Sequence, residues 1–361
     1  SSEFVFANRD VDSEALKPLN EALGALEVGQ KFQAGKSSAY VDARDYILDR
    51  GVDSLNATLG EIQTGYQKFI DENIEDLDYV LMGPSYDNQD DAVAKANFII
   101  SIAESKRDCM AFVSPPKYAA LDPLNAEVIT DSTVDFFNRI SSSSYSVFDS
   151  GYKYMYDRFN DKYRYVALNA DIAGLLAATS FFNEPWFSPA GLQRGQIRNV
   201  VKLGYNPSKE QRDQLFGARI NPVVTFPGEG TVLYGDKTAL TYSSAFDRIN
   251  VRKLFLILER EITKISRSVL FEFNDAVTRT MFVNNVAPFL RDVQSRRGLL
   301  DFLVVCDGSN NTPEVIDRNE FVADIYIKPN KSINFITLNF IATKTGVTFS
   351  ESVALFRGAQ L

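Results

Sequence analysis

Two short apolar runs bracket one helix-favouring stretch early in the chain, and that order constrains the fold more than any other feature. LDYVLMG at 77–83 ends in glycine ahead of a proline, CMAFVSPP at 109–116 ends in two prolines, and the stretch at 89–106 between them is rich in alanine. Runs of this length bounded by Gly and Pro read as buried strands, and Asp87 and Asn88 are cap candidates for the intervening helix. Strand, helix and strand within about 40 residues make a βαβ unit, which implies parallel strands and a right-handed crossover.

The rest of the chain extends this frame. Residues 11–75 are polar and helix-favouring, with Ile62, Tyr66, Phe69 and Ile70 in a helical rhythm. Residues 132–140 read as helix, SSSSYSVFDSGYKYMYDRF as turns and extended pieces, KYRYVALN as a strand, and ADIAGLLAATSFF as a small-residue helix. The one tryptophan lies in EPWFSPAG, a loop by its prolines and glycine. The polar segment 204–219, with Asn206-Pro207 opening a short helix, marks a domain boundary and divides the chain into 1–205 and 206–361.

Beyond it, INPVVTFPGEGTVLYGDKTAL gives two strand-like pieces around a glycine-rich turn. A long helix is expected over 246–269, with Val251, Leu254, Phe255, Leu258, Ile262, Ile265 and Val269 as its apolar face. The other face is basic: Arg252, Arg260, Lys264 and Arg267. A second helix is expected over 274–297, burying Val277, Met281, Val286, Phe289, Leu290 and Val293. DFLVVCD reads as a strand, and FVADIYIKP with INFITLNFIAT as a strand pair. The tail KTGVTFSESVALFRGAQL has strand propensity but little core, as suits an arm that adds a strand to a neighbour's sheet. The expected fold class is therefore α/β followed by α+β, the second part having two long helices, a small sheet and a C-terminal arm.

Composition narrows the chemistry. The 361 residues include no histidine and two cysteines, which removes Ser-His, Cys-His and His-metal arrangements. Carboxylate, lysine and tyrosine chemistry stay open. Cys109 and Cys306 each sit in an apolar run and read as small buried hydrophobes. Residues 206–361 hold 19 basic and 17 acidic side chains (+2), leaving 19 and 30 (−11) for residues 1–205 of the 38 and 47 in all. An acidic half is a poor surface for phosphates, so nucleic acid is not an expected partner. No run approaches the roughly 20 apolar residues of a membrane span, and SSEFVFANRD has no signal-peptide pattern, so no membrane partner is expected either.

Three constellations invite functional readings. Gly228, Gly230 and Gly235 followed by Asp236, Lys237 and Thr238 suggest a nucleotide-dependent α/β enzyme, but a phosphate loop needs Lys directly after its last Gly. A turn using left-handed glycines is the better reading. Asp87, Asp90 and Asp91 match no calcium loop and suit a helix start; no metal or cofactor is expected. Tyr145, Tyr152, Tyr154, Tyr156, Tyr163 and Tyr165 crowd together as packing or interface groups, with a carbohydrate-stacking surface as the competing reading.

RDCMAFVSPP, YVALNADIAGLLAATSFFNEPWFSPAG, RGQIRNVVKLGYN, INPVVTFPGEGTVLYGDKTAL, DRINVRKLFLILE, FEFND, VVCDGSNNTPEVIDRNEFVADIYIKP and INFITLNFIA occur in that order between residues 107 and 342, within a resemblance that covers roughly residues 77–345. Together they resemble the C-terminal half of contractile phage tail sheath proteins of the T-even-like myovirus type. The resemblance implies a non-enzymatic virion subunit, assembled in the host cytoplasm. Copies stack as hexameric rings around a tail tube protein, between baseplate and tail terminator proteins, and contract to drive the tube through the host envelope. It also implies that 1–205 belong to a middle α/β domain and 206–361 to an inner domain. Arg252, Arg260, Lys264 and Arg267 are then tube-facing candidates, and Val347, Phe349, Val353 and Leu355 inter-subunit arm candidates. The chain opens on Ser without the SPGV-like arm motif of such proteins, so a missing N-terminal part is expected.

Overall fold

The computed structural model describes residues 57–70, 77–122 and 125–332. Its first helix, α1 (Leu59–Gln67), opens on a reciprocal capping box between Thr58 and Glu61. The expected βαβ unit follows as β1 (Tyr79–Leu81), α2 (Gln89–Lys106) and β2 (Met110–Val113), with β1 and β2 parallel. Asn88 caps α2 by accepting from the Asp90 N–H, and Arg107 ends it in the left-handed conformation at φ 57°.

Next come α3 (Lys117–Ala120), α4 (Ala126–Asn138) and β3 (Ser146–Asp149), the last parallel to β2. β4 (Tyr152–Asp157) and β5 (Lys162–Ala167) form a hairpin, α5 spans Asn169–Phe182, and the short β6 (Lys202–Leu203) pairs with β4. α6 (Lys209–Gly217) is capped by Ser208 and Gln211 and leads into β7 (Ile220–Asn221), which joins the parallel sheet beside β3. The sheet order is β1-β2-β3-β7, so it crosses the boundary expected at 205/206. β8 (Val223–Phe226) and β9 (Gly230–Leu233) are the two pieces around the glycine turn, where Gly228 and Gly230 have φ of 83° and 85°.

Alternation along the buried strands sets the layers. Ala111, Val113, Phe148 and Val80 face one apolar cluster with α2, Phe136 and Phe137 of α4, and Leu215 of α6. Met110, Phe112 and Val147 face the other, with Leu168, Ile172 and Leu176 at α5 and with Ile249 and Leu256 beyond residue 206. The parallel sheet thus lies between two helical layers.

α7 (Ile249–Ser266) and α8 (Ala276–Ser295) are the two long helices; β10 (Leu299–Val305), α9 (Pro313–Asp317) and β11 (Asp324–Pro329) complete the described chain. α7 buries two sides rather than one, because Ile249 and Leu256 face the sheet while Leu254 and Leu258 join Trp186, Phe282, Val286, Leu290 and Val293 in a further cluster. The buried stripe of α8 runs through Thr278, Phe282, Val286, Leu290 and Val293. Val277 and Met281, expected inside, are 74% and 41% exposed. β10 and β11 pair antiparallel, and INFITLNFIAT, the expected partner of FVADIYIKP, lies outside the described residues. Among the described residues no helix is long and apolar enough to cross a membrane. The mixed α/β and α+β class expected from the sequence is the class observed.

Candidate assembly surfaces

The four basic residues expected to share one outward face do not share it. Arg252 is 6% exposed, with its guanidinium 4.2 Å from the Tyr145 ring centre and 4.0 Å from that of Phe246, and it donates to Ser144 Oγ. Arg260 donates from Nη2 to Asp78 Oδ1 at 2.8 Å and to the Asp108 carbonyl at 3.0 Å. Both cations therefore tie α7 to the chain's own sheet. The reason is positional: α7 runs past Ser144 and Tyr145 ahead of β3 and past Asp78 and Tyr79 at the start of β1, which offer a hydroxyl, rings and a carboxylate. Lys253 joins them, 4.6 Å above the Tyr79 ring, and burial lowers its pKa. Lys264 and Arg267 remain exposed, Lys264 pairing with Glu261 one turn away at 2.9 Å.

The glycine turn offers no phosphate cradle. Lys237 Nζ donates to the Phe216 carbonyl at 2.6 Å and lies 4.0 Å from the Phe216 ring centre, while Asp236 is buried and paired with Arg248 at 3.2 Å. Gly235 is required for packing, since a Cβ there would stand 2.9 Å from Asn221 Oδ1.

The tyrosines divide in two. Tyr152 is buried and donates to the Pro115 carbonyl at 2.9 Å, and Tyr145 lies under Arg252. Tyr154, Tyr156, Tyr163 and Tyr165 form a cross-strand ladder on the β4–β5 hairpin, with ring centres 4.8 to 5.6 Å apart. Tyr156 and Tyr163, at the open end, are 44% and 54% exposed.

The β10–β11 ribbon packs Phe302, Val304, Ile325 and Ile327 on the α7–α8 cluster and turns Leu303 and Tyr326, a cross-strand pair, outward at 57% and 60% exposed. Among the described residues it is a sheet of two strands, so each strand keeps one unpaired edge. The arm candidates Val347, Phe349, Val353 and Leu355 lie outside the described residues.

Sequence reasoning missed a third surface, the corner between α7 and α8. Phe271 and Phe273 are 103% and 85% exposed, and Phe271 is held at φ 70°, a costly conformation for a bulky residue. Asn274 fixes the corner from behind, donating to Asn311 Oδ1 at 3.1 Å and to the Glu320 carbonyl at 2.8 Å. The signal was present in FEFND, where two aromatics flank a charge ahead of a capping Asp, but it gives no sign of exposure.

Two family models match the chain in order: the phage tail sheath protein central domain over residues 57–239 and the phage tail sheath C-terminal domain over residues 241–343. The chain belongs to the phage tail sheath family. The tail sheath protein of Vibrio phage KVP40 is 46% identical over 273 residues, covering 71% of this sheath chain and 40% of that protein. That of Enterobacteria phage T4 is 43% identical over 319 residues, covering 85% and 48%. The chain thus spans about half the length of the curated relatives it matches. Among solved structures, the helical sheath of the anti-feeding prophage in its contracted state has a TM-score of 0.60 at 17% identity, covering 73% of this chain and 70% of that one. The sheath complex of an extracellular contractile injection system, PVC, in its contracted state has a TM-score of 0.57 at 18% identity, covering 65% and 64%. At those identities the likeness concerns the sheath fold. The two matched sheath regions meet between 239 and 241, beyond β7.

Proposed function

We propose that this chain is the assembling portion of a contractile tail sheath subunit, acting mechanically and without catalysis. Copies stack as hexameric rings around a tail tube, between baseplate and terminator proteins, and rearrange as rigid bodies on contraction so that the tube passes through the host envelope. The observation that carries this reading is the unbroken succession of central and C-terminal sheath regions across 57–343. The contracted helical sheath of the anti-feeding prophage, similar in fold, supports it. The product is a virion component put together in the host cytoplasm.

Lys264 and Arg267 are the tube-facing pair in this proposal, since Arg252 and Arg260 are engaged within the chain. Exposed ion pairs contribute about 0 to 1 kcal/mol each, which lets a sheath hold its tube and still slide. Val347, Phe349, Val353 and Leu355 belong to the segment that adds a strand to a neighbour, and the edges that the β10–β11 ribbon leaves unpaired among the described residues suit such an addition. Electron microscopy of the purified chain tests the reading: tubes or stacked rings are expected, and a protein that stays monomeric at all concentrations overturns it. Deleting residues 343–361 is expected to leave a folded protein that no longer polymerises; tubes formed by the truncated chain would remove the arm assignment alone.

A further inference from the structure

A cleft of about 690 Å³ opens where the Trp186 loop, the turn at Gly235 and Asp236, the end of α8 and the segment after β11 meet. Arg194, Arg297 and Lys331 line it. Hydrogen bonds fix where these cations stand. Asn330 donates from Nδ2 to the Arg297 carbonyl at 2.7 Å and from its backbone N–H to the Gly298 carbonyl at 3.2 Å, which carries Lys331 to the Arg297 backbone. Arg194 Nε donates to the Ser188 carbonyl at 2.7 Å, and Ser188 Oγ donates to Asp236 Oδ2 at 3.1 Å. Asp236 is the one carboxylate among the described lining residues, and Arg248, outside the cleft, pairs with it at 3.2 Å. Arg194, Arg297 and Lys331 have no ion-pair partner among the described residues.

The cleft is therefore built for an anion, and its other walls say which kind. Trp186 is 5% exposed with its Nε1 on the Arg296 carbonyl, so the indole offers no stacking face for a base; the Tyr234 ring meets Phe226 edge-on and stays 51% exposed. Asn250, 6% exposed, has an Oδ1 without a hydrogen-bond donor among the described residues. A peptide brings a carboxylate together with N–H donors, which a bare anion does not. The complementary charge is on the chain itself, because residues 1–205 carry 30 acidic and 19 basic side chains. We infer that this cleft seats an acidic segment from residues 1–205 of a second copy. The cleft draws on residues from both sides of 205, and an acidic segment of one copy seated in the cationic cleft of the next makes a heterologous, head-to-tail contact, the kind that propagates into helical polymers. This rests on the polymer reading given above.

Charge reversal at the two exposed cations tests it. The Arg297→Glu, Lys331→Glu double variant of the full chain is expected to melt like the parent and to polymerise about tenfold less readily at low salt, with the difference shrinking as salt rises. In parallel, a photo-crosslinking residue placed at Gln193, a lining position, is used in mixed isotope-labelled and unlabelled copies. It is expected to capture an acidic peptide from residues 1–205 of the other copy. Unchanged polymerisation of the folded double variant, or capture confined to the same copy, overturns the inference and leaves the sheath reading standing. Blocking of the cross-link by millimolar inorganic phosphate or ATP without loss of polymers assigns the cleft to phosphate and also overturns it. Absence of polymers from the parent chain overturns both.

Discussion

Asp149 closes β3 with its carboxyl 1% exposed, accepting from Ser114 Oγ at 2.6 Å and from the Gly151 N–H at 2.9 Å. Burial raises its pKa to about 8, Asp171 adds to the rise, and the two hydrogen bonds oppose it. The charged group that bears on it is Asp171, itself paired with Lys153 at 2.7 Å. A carboxyl whose pKa is raised on folding stabilises fully below its unfolded value, about 4, and loses that contribution as pH climbs through 8. Unfolding free energy followed from pH 5 to 9 is expected to fall more steeply for the parent than for Asp149→Asn, the difference between the two falls being on the order of a few kcal/mol by pH 9. Equal slopes would place the carboxyl in a wetter setting. Arg252 gives a second contrast: Arg252→Met is expected to cost about 2 kcal/mol in denaturant melts, and Lys264→Glu less than about 0.5. Neither role was legible in the sequence. A basic residue every few positions on a helix looks the same whether it meets water or, as with Arg252, rings from 107 and 6 positions away, since Tyr145 and Phe246 adjoin it only in the fold.

At the scale of elements, periodicity located most of what was sought. The βαβ unit, the small-residue helix and both long helices stand where apolar spacing placed them, and Asn88 caps α2 as its sequence position suggested. Phase was harder than position. On α8 the stripe through Phe282 and the stripe through Val277 and Met281 differ by about one residue, roughly 100° around the axis, and both reach Val286 and Leu290 within tolerance. Only the packing of Phe321 and Trp186's cluster selects between them. Phe282→Ala is accordingly expected to cost about 3 to 5 kcal/mol, and Val277→Ala under about 0.5, in equilibrium unfolding. Gly298, between α8 and β10, is a sharper case: a Cβ would stand 2.6 Å from Val293 Cγ1 and 3.1 Å from the Trp186 ring. Gly298→Ala is expected to destabilise by about 1 to 3 kcal/mol, and a neutral result would mean the joint can open to admit a methyl group.

The described residues from Thr58 onward behave as one compact unit, although two family regions lie within it. Val223, Leu233, Ile249 and Leu256, from either side of residue 240, share one cluster with Phe112 and Leu176. Scanning calorimetry is therefore expected to show a single cooperative transition for this body; two resolved transitions would restore separate domains. The expected cut at 205/206 reflected composition, a polar stretch with Asn-Pro, and composition does not reveal that a two-residue strand at 220–221 completes a sheet begun at residue 79. For a lattice protein the shared cluster means that a pull on α8 is felt by the parallel sheet, through α7, without a hinge between them. The lone tryptophan sits at the far end of that line of force, under Arg296 and against Gly298. Its emission colour and quenching make it a built-in optical gauge: light from a single indole, excited directly or through tyrosines, reports whether the joint stays shut when copies meet.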